Sequence, residues 1–433
     1  MIRSNRIIIG TAFLFISCTL AWGVERFPPP DFEGGYAMPS PTTPHARQTI
    51  YEYIDVAVLF IALGLASYLV LKKRNRRAIF ALMIFSILYF GFWRRGCVCA
   101  VGSLQNIVLS IFDAEYVVPT TVAAFFLLPL VFTLFFGRTF CAAVCPLGAV
   151  QDLVNRRPVK VPEWAENGLR LLAYAYLAAA VLFAATGSAF IICRYDPFIS
   201  IFRLSGSLNI LILGGCILLI GVFVGRPYCR FLCPYGVILR HLSRLSKWHA
   251  TITPDECIQC RLCEDACPFG AIKRPTMKWP EKEYHVAKKR LALLLLVLPV
   301  LIFLGGWAGS GIKAVTARAH DTVRLAERIS LEEAGEVEGT TDASSAFRAT
   351  GKEISALYEE ASNIRTRFGL GGWFFGGFIG LVIGLKLIGL SVWRQRKEYE
   401  TDKASCLACG RCFEYCPREH LRRKEIEEAS EKL

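Results

Sequence analysis

Histidine is scarce in this chain. There are six in 433 residues, none in a C-x-x-C-H run, so covalently attached haem has no anchor. No apolar run carries a spaced histidine pair, which leaves b-type haem without ligands. A Gly-rich phosphate loop is also missing, and no catalytic triad can be assembled. Charged residues make up 20% of the chain against 54% hydrophobic, too few for an ordinary soluble enzyme. The apolar residues are blocked into long runs. The fold class expected is therefore an α-helical polytopic membrane protein with about seven or eight transmembrane helices. The net charge is +14. Because the basic residues crowd the ends of apolar runs, that charge reads as membrane topology and not as nucleic-acid binding.

Residues 1–24 read as a signal peptide or an uncleaved anchor, and residues 25–52 as an external Pro-rich segment. The transmembrane core spans residues 53–250. Its runs end at basic markers such as Lys72, Lys73, Arg74, Arg76 and Arg77. A further membrane helix is expected over residues 286–307 and another over 370–393. Between them, residues 308–369 hold 8 Lys plus Arg against 10 Asp plus Glu, which suits the outside. Val323, Ala326 and Ile329 recur at helical spacing there, as do Ile354, Leu357 and Ala361. Two amphipathic helices are expected, either as a simple cap or as a docking surface for an external redox protein or flavoprotein. Gly372, Gly376, Gly380 and Gly384 let another helix approach closely.

Cysteine, by contrast, is plentiful: 17 residues. Cys257, Cys260, Cys263 and Cys267-Pro268 form the C-x2-C-x2-C-x3-C-P run of bacterial ferredoxins, and Cys406, Cys409, Cys412 and Cys416-Pro417 repeat it. Such runs bind [4Fe-4S] clusters, and the fourth cysteine serves the other cluster. One cluster is expected on Cys257, Cys260, Cys263 and Cys416. The second is expected on Cys406, Cys409, Cys412 and Cys267. The module is thus split between residues 251–285 and 394–433, which must reach one face. Alternating the spans puts both segments inside, in a reducing cytoplasm. Arg261, Lys273, Arg274 and Arg411 lie near the runs, either as positive-inside markers or as groups that raise potential and attract an acidic donor.

The core contains an internal duplication. Gly137-Arg138-Thr-Phe-Cys141-x3-Cys145-Pro146 returns 88 residues later as Gly225-Arg226-Pro-Tyr-Cys229-x3-Cys233-Pro234. A weaker echo sets Cys99-Ala-Val-Gly102-Ser-Leu-Gln105 beside Cys145-Pro-Leu-Gly148-Ala-Val-Gln151. Cys141, Cys145, Cys229 and Cys233 can ligate a further Fe–S or copper centre, or remain plain thiols. Cys97, Cys99 and Cys193 fall on the outer side of this topology, as an outer centre, a disulfide or free thiols.

With these motifs in hand, residues 50–420 resemble the NosR/NapH family of membrane polyferredoxins, closest to the transmembrane and ferredoxin portion of NosR-type members. The resemblance places the two Cys-x3-Cys-Pro motifs on the cytoplasmic side. NosR-type members carry an external flavin domain where this chain has its short Pro-rich stretch, so neither flavin nor haem of its own is expected. The expected function is membrane-bound electron transfer between a quinol or cytoplasmic donor and a periplasmic redox partner, in the bacterial inner membrane. The chain would be an electron carrier and not a stand-alone catalyst. Two other readings stay open. One is a maturation or regulatory factor for a periplasmic metalloenzyme such as nitrous oxide reductase, including metal reduction. The other is an electron-relay subunit of a larger membrane complex.

Overall fold

The computed structural model describes residues 47–96, 99–252, 257–276, 281–392, 395–396 and 398–431. The N-terminal apolar run, most of the Pro-rich stretch and Cys97 lie outside these residues.

Among the described residues five helices are long and apolar enough to cross a bilayer: Thr49–Lys73, Arg76–Trp93, Glu163–Ala185, His285–Gly311 and Ile354–Ser391. The expected seven or eight also include the N-terminal run, outside the described residues, and the shorter apolar helices Thr120–Phe136 and Leu208–Phe223. At 17 and 16 residues each rises only about 25 Å, short of a hydrocarbon core of about 30 Å. A third short apolar helix, Ala100–Phe112, has no counterpart in the sequence reading. It packs against Thr120–Phe136 and Glu163–Ala185. Leu63, Val70, Ile79, Met83, Phe90, Ala142 and Leu239 fill the common core of this bundle.

Helix Glu281–Gly311 and helix Ile354–Ser391 form one long hairpin. The glycine repeat explains their closeness. A Cβ on Gly376 would collide with the Gly305 carbonyl, and one on Gly372 with the Gly309 carbonyl. Backbone contact of this kind replaces the hydrophobic drive that lipid cannot supply. Gly376→Leu is therefore expected to lower the melting temperature in detergent by several degrees. Gly389→Leu, where an added Cβ meets nothing within 4 Å, is expected to leave it unchanged.

The segment between these helices folds as a cap. Helix Asp321–Glu333 buries Val323, Ala326 and Ile329 against Leu357, Ala361 and Ile364. Its apolar stripe is thus used internally. Ile354–Ser391 is continuous, so the expected boundary at residue 369 falls inside one helix. The expected boundary at residue 307 likewise falls inside Glu281–Gly311.

The two ferredoxin runs meet at the opposite end of the hairpin. Ile272–Lys273 pairs antiparallel with Glu400–Thr401, and helix Leu262–Ala266 packs on helix Arg411–Tyr415. The connections between helices clamp this unit from the membrane side. Arg74 pairs with Glu419 at 2.6 Å, Arg76 donates to the Cys409 carbonyl at 2.8 Å, and Ser243 Oγ donates to the Lys403 carbonyl at 3.0 Å.

Candidate iron–sulfur sites

Each ferredoxin run winds because two of its spacer residues take left-handed backbone. These are Gln259 and Arg261 in the first run, and Ala408 and Gly410 in the second, at matching positions. Such turns curl three thiols around one centre and point N–H groups inward; the Ala408 N–H donates to Cys406 Sγ at 3.4 Å. A five-residue helix carries the third cysteine of each run, Cys263 in Leu262–Ala266 and Cys412 in Arg411–Tyr415. Cys267 and Cys416 then leave it in extended backbone, ahead of their prolines. This turns each fourth thiol away from its own loop. Cys263 lies within electrostatic range of Cys416, Cys257 and Cys260, and Cys412 within range of Cys406, Cys409, Cys267 and Cys263. A cavity is walled by Cys267, Cys406, Cys409 and Cys412, with Phe269 and Leu407 among its other linings.

These residues fit a cubane. Among the described residues no three His, Cys, Asp or Glu side chains stand close enough to hold a single metal ion. A mononuclear site gathers its thiolates on one atom, at about 2.3 Å each for zinc. In a cubane every thiolate takes its own iron, so the four sulfurs need not converge on one atom. Burial pushes the Cys406 thiol up to about 12 and the Cys263 thiol up to about 11. The chain alone keeps these sulfurs protonated, and metal must displace the proton.

The duplicated pairs form a third gathering of thiols. Cys145 lies within electrostatic range of Cys229, Cys141 and Cys233, and Cys141, Cys145, Cys229 and Cys233 are all free. A cavity at Cys229 and Cys233 is lined by Arg138, Arg170, Arg230 and Arg240, and it shares the Phe269 and Leu407 walls of the ferredoxin cavity. The Nε atoms of Arg138, Arg230 and Arg240 have no partner. Four thiolates around a cluster carry net negative charge, which is costly in a dry interior unless cations face it. Unpaired arginine donors at that place fit such a group.

The arginines that open the two repeats join these sites. Arg226 is fully buried in left-handed backbone. It donates to the carbonyls of Cys141 and Ala142 and faces Asp152 at 3.4 Å. Asp152 also binds Arg76 at 2.6 Å and Arg411, from the second ferredoxin run, at 3.2 Å. Burial alone would raise the Asp152 carboxyl, but Arg226, Arg411 and Arg76 outweigh it and hold it well below the usual carboxylate range. Arg138 reaches the Ala404 carbonyl at 3.3 Å and Cys141 Sγ at 3.8 Å. Of the four basic residues singled out beside the ferredoxin runs, Arg411 takes part in this network. Arg274 instead pairs with Glu264 in an exposed position. Asp152 has no signal in the sequence, and Arg226 and Gln151, which donates to Cys229 Sγ at 3.3 Å, stand out there only as members of the repeats, without a role. The repeated Gly-Arg pair is the signal that could have found Arg226.

Cys99 does not stand apart from the inner cysteines. It shares a cavity with Cys145 and Phe140. Gly102, three residues on, leaves the space in which Cys193 Sγ sits.

Comparison with known proteins agrees with this chemistry. The family described as "4Fe-4S binding domain" matches residues 118–162 and 207–252, one match for each copy of the duplication. A second family of the same description matches residues 250–273. The chain is an iron–sulfur protein of the membrane.

Among curated relatives it is 32% identical over 152 residues to Protein NirI of Paracoccus denitrificans, covering 32% of this chain and 22% of that one. It is 27% identical over 188 residues to the putative electron transport protein YccM of Escherichia coli, covering 39% and 52%. It is 25% identical over 243 residues to the regulatory protein NosR of Stutzerimonas stutzeri, covering 50% and 33%. The chain is a NosR-like membrane ferredoxin protein, and its match spans only part of these relatives' length. No solved structure matches it.

Proposed function

We propose that this chain carries electrons across the bilayer, between a quinol or soluble donor on the ferredoxin face and a redox partner on the far face. One observation supports this reading above the others. The cavity at Cys229 and Cys233 shares Phe269 and Leu407 with the cavity of Cys267, Cys406, Cys409 and Cys412. Cys257, Cys260, Cys263 and Cys416 hold one [4Fe-4S] cluster; Cys406, Cys409, Cys412 and Cys267 hold a second; Cys141, Cys145, Cys229 and Cys233 hold a third. When bound, such clusters supply one-electron transfer without bond making. The protein's residues set the spacing, exclude water and balance charge. Arg138 and Arg226 stand between the third site and the ferredoxin unit and offset negative charge on both. Both ferredoxin runs face the cytoplasm, as their basic membrane edge favours.

The relatives named as regulatory proteins favour a second reading, in which the same electron line sets the redox state of a partner metalloenzyme during its maturation. Sealed vesicles test the conduit. With dithionite outside and a trapped one-electron dye inside, the wild type is expected to reduce the dye. Cys229→Ser is expected to stop transfer while its ferredoxin unit still reduces normally. Unchanged transfer in Cys229→Ser would count against the conduit.

A further inference from the structure

The echo between Cys99…Gln105 and Cys145…Gln151, 46 residues apart, extends to geometry. Cys99 and Cys145 each stand in extended backbone immediately before a helix, Ala100–Phe112 and Pro146–Val154. A Cβ at Gly102 would lie 3.1 Å from Cys193 Sγ, and one at Gly148 would lie 3.6 Å from Cys229 Sγ. Each glycine thus lies against a sulfur from a later segment, tightly at Gly102 and in ordinary contact at Gly148, where the Arg226 guanidinium comes closer at 3.2 Å. Gln105 Oε1 accepts the Ile192 and Cys193 N–H groups at 3.0 and 3.4 Å. Gln151 Oε1 accepts the Tyr228 N–H, just ahead of Cys229, at 2.9 Å. Beyond Cys193, Asp196-Pro197 takes the place of Cys233-Pro234. Asp196 Oδ1 accepts the N–H of Phe198, two residues on, at 2.8 Å, and Cys233 Sγ accepts that of Gly236, three residues on, at 3.2 Å. Neither the Cys-x3-Cys spacing nor a family match marks this outer copy.

Two polar atoms here lack partners. Gln151 Nε2 donates to Cys229 Sγ, but its counterpart Gln105 Nε2 has no acceptor, although Gln105 is 1% exposed. Asp196 is also 1% exposed, and its Oδ2 has no donor. A buried donor and a buried carboxylate oxygen left unpaired are both costly, and such groups call for a ligand. Both lie near the same thiols: Gln105 accepts the Cys193 N–H, and Asp196 is within electrostatic range of Cys99.

We propose that Cys99, Cys193 and Asp196 ligate a further iron–sulfur cluster, with Gln105 Nε2 donating to it. This site rests on the inner-site reading above. It takes one electron from the Cys141, Cys145, Cys229 and Cys233 site, across the cavity shared by Cys145, Phe140 and Cys99. It passes one electron to a redox protein on the far face, where Cys193 is exposed. No proton or bond changes hands.

The test uses the full chain purified without oxygen in detergent. Cys99→Ser and Asp196→Ala are each expected to lower iron by about four per chain while the EPR signals of the ferredoxin unit persist. Asp196→Cys, which restores the thiolate of the inner copy, is expected to keep the iron and change the EPR line shape, and it guards against simple misfolding. Cys193 is expected to resist maleimide until iron is chelated. Wild-type iron and spectra in Cys99→Ser and Asp196→Ala, or a Cys99–Cys193 disulfide in the anaerobic protein, would overturn the proposal. If Cys229→Ser lowers iron while the outer variants do not, only this outer site falls. If Cys229→Ser is also silent, the inner site falls with it.

Discussion

Replacing Asp152 by Asn is expected to destabilise the protein by about 3–5 kcal/mol, the usual cost of breaking a buried ion pair. Asp152 and Arg226 are both closed to solvent, and the carboxylate also serves Arg76 and Arg411. The variant keeps the shape of the side chain but leaves three guanidinium groups facing one another. Because Arg411 belongs to the second ferredoxin run, the loss should also loosen that unit from the helices. Thermal melts in detergent would then show a lower transition, preceded by release of iron. Lys160→Gln removes the exposed Lys160–Asp265 pair and serves as the control, with an expected change within about 0.5 kcal/mol. An Asp152→Asn protein as stable as the wild type would show that the network holds nothing together.

The second large effect concerns the fourth cysteine of each ferredoxin run. Cys267→Ser is expected to remove the cluster held by Cys406, Cys409 and Cys412, about 140 residues away in sequence, and to spare the one beside it. Cys416→Ser is expected to do the reverse. Combining Cys267→Ser with Cys409→Ser should cost no more iron than either alone, because both act on one site. The combination of Cys267→Ser with Cys260→Ser should empty both. EPR of the reduced variants separates the two signals. Loss of the local cluster in each single variant would mean that the runs do not exchange ligands.

Much of this was legible in the residues themselves. Cysteine spacing fixes chemistry directly, so the two ferredoxin runs and the duplicated Cys-x3-Cys-Pro pairs stand out before any fold is known. The Gly372–Gly384 repeat announces a close helix contact, and helix Glu281–Gly311 turns out to be the neighbour. Other features were hidden for physical reasons. Helix Ala100–Phe112 is too short for a span and follows a Cys-Val-Cys segment that reads as loop. Arg226 looks like one more basic marker at a helix end, because sequence cannot show that Asp152, 74 residues earlier, meets it in the interior. Asp196 differs in chemistry from the cysteine it replaces, so a search for repeated cysteines passes over it. Only the shared backbone setting of Asp196-Pro197 and Cys233-Pro234 reveals the match.

The central claim is that the duplicated cysteines hold a cluster beside the ferredoxin unit and continue its electron line into the helices. Iron and acid-labile sulfide per chain, measured on anaerobically purified protein with Mössbauer spectra of the same sample, test it most directly. At least about twelve irons per chain are expected, all in cubane-type environments, with a loss of about four in Cys229→Ser. About eight irons, unchanged by that substitution, would contradict it.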